Sequence, residues 1–181
     1  MKNDLQKNLI EKYSCFFEYL KDYKGPIIPI QFGFECGDGW YSLLDSLMGQ
    51  IDSYTKYNSE RKRIKNKTFR YIYNRLGKLS IKLPHKYSKY LLKIRNVIDK
   101  KSKWEKYKVF EPISVTQIKE KYGGLCFYYN GGDEEISGMV SFAESFSYKI
   151  CETCGTTKNV HQTKGWISTI CDKCEKIKNK N

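Results

Sequence analysis

Four cysteines constrain this chain more than any other feature: Cys151 and Cys154 in CETC, then Cys171 and Cys174 in CDKC. The pattern C-x2-C-x16-C-x2-C brings four thiolates to one point, and tetrahedral Zn2+ matches them in softness and geometry. Residues 149–176 are therefore expected to fold as a zinc ribbon. Gly155 follows the first pair, where a residue free to adopt positive φ lets the knuckle turn back over the sulfurs. His161 is the alternative fourth ligand, with an exposed loop position as its plainer reading. A closed four-sulfur site leaves no coordination position for water or substrate, so the metal is structural.

The other cysteines, Cys15, Cys36 and Cys126, stand singly, which suits a reducing compartment better than a disulfide framework. The segment MKNDLQKNLIEKY has no apolar core of a signal sequence, and no stretch approaches the roughly 20 apolar residues that span a bilayer. The expectation is a soluble protein of the cytoplasm with no membrane partner.

Charge is regional. Of a net +13, residues 56–108 alone carry +16, with 19 Lys or Arg against Glu60, Asp99 and Glu105. A polyanion is the natural partner of such a surface, since neutralised phosphates release counterions. Two features argue for a solvated face instead. Only 5 of the 33 basic residues are Arg, and Arg61, Lys62, Arg63, Lys65, Lys67 and Arg70 fall all round a helix.

Periodicity gives the elements. Asp4 is placed to cap a helix to about Asp22, and Asp38 to cap a second in which Trp40, Leu43, Leu44, Leu47, Met48 and Ile51 form one stripe. Two basic helices are expected near 59–76 and 84–100, divided by Gly77 and Pro84. From Val109 the pattern alternates, and PISVTQIKEKY with GLCFYYN predicts an antiparallel hairpin turning at Gly123-Gly124. Asp133 then caps an acidic-led helix through Tyr148. The fold class is α+β: helices on a small antiparallel sheet, organised as 1–148 with a basic insert at about 56–108, followed by ribbon and basic tail at 149–181.

Three boxes, ECGDGWYSLLDSL at 35–47, QIKEKYGGLCFYYNGGD at 117–133, and ICETCG with GWISTIC at 150–155 and 165–171, resemble a family of small phage and prophage proteins of unassigned activity. The resemblance implies the same order of boxes ending in a CxxCG ribbon, within an infected bacterial host. It marks the basic stretch as a variable insert. Cys126 departs from it, standing where the family carries a basic residue.

Catalysis is not expected. Glu35, Asp38, Asp133, Glu134 and Glu135 border glycine-rich turns, but only His85 and His161 are present, and no nucleophile elbow or phosphate loop appears. A binding site is the sharper reading. Gly37, Gly39, Gly123 and Gly124 would let amides approach a phosphate, unless they only serve tight turns. Asp38 borders the first pair, Lys119 and Lys121 would supply charge, and Trp40, Tyr122, Phe127, Tyr128 and Tyr129 would offer faces for a base. Strand alternation sets Phe127 and Tyr129 opposite Tyr128. The expected function is a non-catalytic phage accessory protein that sequesters a nucleotide-type immune signal of the host. The alternatives are nucleic-acid binding through the basic region, and docking on a host or phage protein as an inhibitor or virion component.

Overall fold

In chain order the elements are α1 (Asn3–Lys12), α2 (Tyr41–Glu60), β1 (Lys62–Ile64), α3 (Lys67–Lys82), α4 (His85–Lys101), β2 (Trp104–Lys106), β3 (Ser114–Lys121), β4 (Gly124–Asn130), α5 (Glu134–Ser147), β5 (Val160–Gln162), β6 (Thr169–Cys171) and α6 (Asp172–Lys178). They are seen in a computed structural model that describes residues 1–60, 62–106 and 113–180. The fold is α+β, with strands paired antiparallel as β1–β2, β3–β4 and β5–β6. Arg61, and the approach to the hairpin at 109–112, lie outside the described residues.

The chain divides into two compact units, Met1–Thr55 with Phe110–Asn181, and Lys56–Val109. The basic insert thus forms a unit of its own. The ribbon, expected as a separate domain, belongs to the first unit.

In the first unit α2 supplies the centre of the core: Trp40 just before it, then Leu44, Met48 and Ile51, are fully buried at the expected helical spacing. Leu9, Phe16, Val115, Ile118, Leu125, Phe127, Ile136 and Val140 close round them. The helix expected to reach Asp22 stops at Lys12 and gives way to 3-10 turns at Ser14–Phe16 and Glu18–Lys21. Tyr13, Phe16 and Phe17 are all buried, and a continuous α-helix would aim adjacent Phe16 and Phe17 about 100° apart. Neither Asp4 nor Asp38 caps a helix with its side chain. Asp38 instead accepts the Lys2 amide at 2.7 Å and faces the Lys2 ammonium at 3.5 Å.

The β3–β4 hairpin has the expected strands, with Ile118 opposite Phe127 and Lys121 opposite Gly124. A bulge between Val115 and Gln117 lets both Val115 and Ile118 reach the core across an odd spacing. The turn is Tyr122-Gly123, not Gly123-Gly124, with φ of 52° and 76°. A two-residue hairpin turn of type I′ needs left-handed backbone at both positions, which a tyrosine adopts only under strain. Asp133 caps α5 as expected, accepting the Ile136 amide at 3.2 Å.

The second unit is a helical hairpin with a short strand pair. Asn66 starts α3 by accepting the Thr68 and Phe69 amides at 2.9 and 3.1 Å, so the helix expected from 59 begins later. Residues 62–64 pair with 104–106 instead. Arg95 of α4 lies over the ring of Tyr73 at 4.1 Å, and Tyr73 meets Trp104 edge-on at 5.9 Å.

Candidate metal centre and adjoining aromatic cleft

Each cysteine pair is presented by a tight backbone device. Around the first, the Gly155 amide donates to the Cys151 carbonyl and the Cys151 amide to Thr156, both at 2.8 Å, with Gly155 at φ +77° as expected. Cys171 ends β6 and Cys174 lies in the first turn of α6. The four sulfurs lie within 4.8 Å of one another, and Cys154 and Cys171 are 3.7 Å apart. Four thiolates about 2.3 Å from one tetrahedral ion stand about 3.8 Å apart, so the cluster is shaped to hold a metal ion. Among the described residues it is the one group of three or more His, Cys, Asp or Glu side chains so gathered. Glu35, Asp38, Asp133, Glu134 and Glu135 make no such group.

His161 is outside the ligand set and is not a loop residue. From β5 its Nε2 meets Glu175 at 3.0 Å and its Nδ1 meets Asp172 at 3.3 Å. Those carboxylates lie next to Cys171 and Cys174, so His161 fastens β5 to the helix that follows Cys171 and carries Cys174.

The glycines of the first box serve this knuckle. Gly39 donates to the Glu152 carbonyl at 2.7 Å, and Gly37 to the Glu152 carboxylate at 2.8 Å. A Cβ on Gly39 would overlap the Cys151 carbonyl, and one on Gly37 the Glu152 carbonyl. Burial pushes the Glu152 carboxyl up, and the Gly37 amide offsets part of that rise. Trp40 completes the joint by donating from Nε1 to the Ile150 carbonyl at 3.1 Å.

This corrects part of the expected binding site. Trp40 is 0% exposed, so it offers no face to a base, and the Gly37 and Gly39 amides are already spent. Gly123 donates to the Glu120 carboxylate, and a Cβ on Gly124 would overlap the Tyr148 ring. Asp38 borders a separate hollow with Lys2, Glu152 and Lys178. Cys36 is buried and its thiol is pushed up to about 12 by burial, which removes it from thiolate chemistry.

The second box keeps its exposed face. Phe127 points into the core, Tyr129 is half-buried, and Tyr128 is exposed with the Lys119 ammonium 5.3 Å from its ring centre. At the turn, Tyr122 is 71% exposed with the Lys121 ammonium 5.4 Å from its ring. The turn rests on the ribbon: Thr169 donates to the Gly123 carbonyl, and Gln162 to the Tyr122 carbonyl at 3.4 Å. The ribbon returns a second ring. Trp166, 84% exposed, sits in a loop braced by Thr163, which accepts the Ser168 amide at 2.9 Å and donates to the Trp166 carbonyl at 2.7 Å. Glu120, Lys121, Tyr122, Gly165, Trp166 and Ile167 line one open cleft of about 410 Å³. Of the expected ligand residues, Lys121 and Tyr122 meet here, and Lys119 with Tyr128 lies on the strand face nearby. Trp166 and Ile167 were missed as ligand residues, although they stand in GWISTIC of the third box.

No family model, curated protein or solved structure matches the chain.

Proposed function

We propose that this is a non-catalytic binding protein that takes a phosphate-bearing nucleotide between Tyr122 and Trp166, on a hairpin braced by a structural zinc site. The observation that carries the reading is the cleft itself, in which two exposed aromatic rings share one concavity with a lysine at its rim. Every base has a π-face, and stacking contributes about 1–3 kcal/mol per base. Lys121, with Lys119 beside Tyr128, would meet the phosphate. Zinc is assigned to the four thiolates by their softness and tetrahedral spacing, and Cys151, Cys154, Cys171 and Cys174 would hold it closed to substrate. The resemblance to phage and prophage proteins extends the proposal to an accessory role, in which the ligand is a nucleotide signal of host immunity withheld from its receptor.

A second reading, nucleic-acid binding, is favoured by the charge of the basic unit. Fluorescence titration separates the two. Cyclic dinucleotides and short oligonucleotides are added to the full chain and to its Trp166→Ala and Tyr122→Ala variants at low and high salt. The primary reading expects mononucleotide or dinucleotide affinity that survives salt and drops at least about tenfold in either variant. Binding of oligonucleotides alone, abolished by salt and indifferent to both variants, would replace it with the second.

A further inference from the structure

We propose that the helical hairpin of the second unit docks on an anionic lipid surface. The helices meet along a seam marked by Tyr73 and Gly77 on one side and Arg95 on the other; a Cβ on Gly77 would lie 3.5 Å from the Arg95 guanidinium. At about 100° per residue, Phe69, Ile72 and Leu79 of α3 lie about a quarter turn from that seam, with Leu83 continuing the row. Tyr87, Tyr90, Ile94 and Val97 of α4 lie about a quarter turn from it in the same rotational sense. In an antiparallel pair the same sense brings both rows to one side. The result is an apolar face two helices wide. Each of these eight side chains keeps between 39% and 56% of its surface exposed.

Charge selects the occupant. About half a turn from the seam, Arg75 and Lys82 edge α3 while Lys86, Lys93 and Lys100 edge α4, so the apolar face has a basic rim on both sides. Asp99 is the single acid on either helix. A second copy laid on this face would set basic rim against basic rim. A nucleic acid would answer the rim and leave the aliphatic face wet. An anionic bilayer answers both, with apolar side chains in the acyl boundary and lysine stems reaching to the headgroups. The tyrosines suit the interface, where an apolar ring and a polar tip are both satisfied. No helix among the described residues is long and apolar enough to cross a membrane, and the proposed mode is peripheral.

The test is flotation of the full chain with vesicles of phosphatidylcholine alone and of phosphatidylcholine with phosphatidylglycerol. Two variants are compared, Ile72→Glu/Ile94→Glu on the apolar face and Lys86→Gln/Lys93→Gln on the rim. Both alter exposed positions, and circular dichroism checks that helicity is kept. The proposal expects binding to the anionic vesicles only, weakened about tenfold or more by the apolar pair and severalfold by the rim pair. Three results would overturn it: no anionic-vesicle binding, binding indifferent to the apolar pair, or a solution dimer that the apolar pair dissociates. Binding to oligonucleotides that outcompetes the vesicles and ignores the apolar pair would assign the rim to nucleic acid instead.

Discussion

The Gly39 amide donates to the Glu152 carbonyl at 2.7 Å, tying the glycine-rich first box directly to the metal knuckle. Beside it the Trp40 indole donates to Ile150, and Glu152 itself donates to the Thr169 carbonyl of β6 at 2.9 Å. Metal site, first box and hairpin turn are therefore one mechanical assembly, and the aromatic cleft is its outer edge.

Gly39→Ala should be among the most damaging single substitutions in the chain, because its methyl group meets backbone atoms of Cys151 and Gly155 that cannot swing away. Overpacking of this kind costs about 1–3 kcal/mol or more, read as a lowered urea midpoint and faster loss of metal to a chelator. Gly138→Ala, in open space on α5, is the control and should be neutral or stabilising.

Cys171→Ser, or chelation of the wild type, should unfold the ribbon, since binding energy of about 10 kcal/mol at such sites is largely folding energy. Proteolysis should then open residues beyond Ile150. Hydrogen exchange should also rise at the hairpin turn, because Gly123 and Tyr122 lose the partners Thr169 and Gln162.

Tyr122 sits at φ 52°, a conformation that costs a tyrosine about 1 kcal/mol and that asparagine adopts readily. Tyr122→Asn should raise thermal stability while weakening ligand binding at least about tenfold. A gain in stability with a loss of affinity would mark the tyrosine as retained for its ring.

The metal site was legible from sequence because ligand spacing is local and its chemistry specific, and the cap at Asp133 was legible for the same reason. The α2 stripe from Trp40 to Ile51 was also plain, since 3.6-residue periodicity survives any context that buries one face. Part of what failed was local, since the side chains of Asp4 and Asp38 cap no helix and the turn falls at Tyr122-Gly123. The rest was tertiary. Nothing local in ECGDGW distinguishes glycines that admit a phosphate from glycines that admit the Cys151 carbonyl, and Trp40 reads alike as platform or core. Trp166 joins the cleft only because the ribbon rests against the turn that carries Tyr122. The early end of α1 at Lys12 likewise depended on the core, which takes in Tyr13, Phe16 and Phe17 together.

Asp45 accepts the Lys12 ammonium at 2.7 Å and the Tyr13 hydroxyl at 2.8 Å, joining α1 to α2. The Lys12 hydrogen bond, chiefly, holds its carboxyl below the usual aspartate range. A depressed carboxyl stabilises the fold above the unfolded value of 3.8 and stops doing so as pH falls through the folded value. The pair is exposed, so solvent screening keeps the effect small. Thermal melts of wild type and Asp45→Asn should therefore differ at neutral pH and begin to converge only as pH falls below 3.8.

The most direct test is native mass spectrometry of the full chain and of Trp166→Ala with a panel of cyclic dinucleotides, cyclic ADP-ribose isomers and short oligonucleotides, at low and high ammonium acetate. A nucleotide site between Tyr122 and Trp166 predicts one zinc per chain in both proteins, and a salt-resistant small-nucleotide adduct in the wild type that Trp166→Ala loses. A zinc-loaded wild type that takes no nucleotide, or an adduct that Trp166→Ala retains in full, would contradict it.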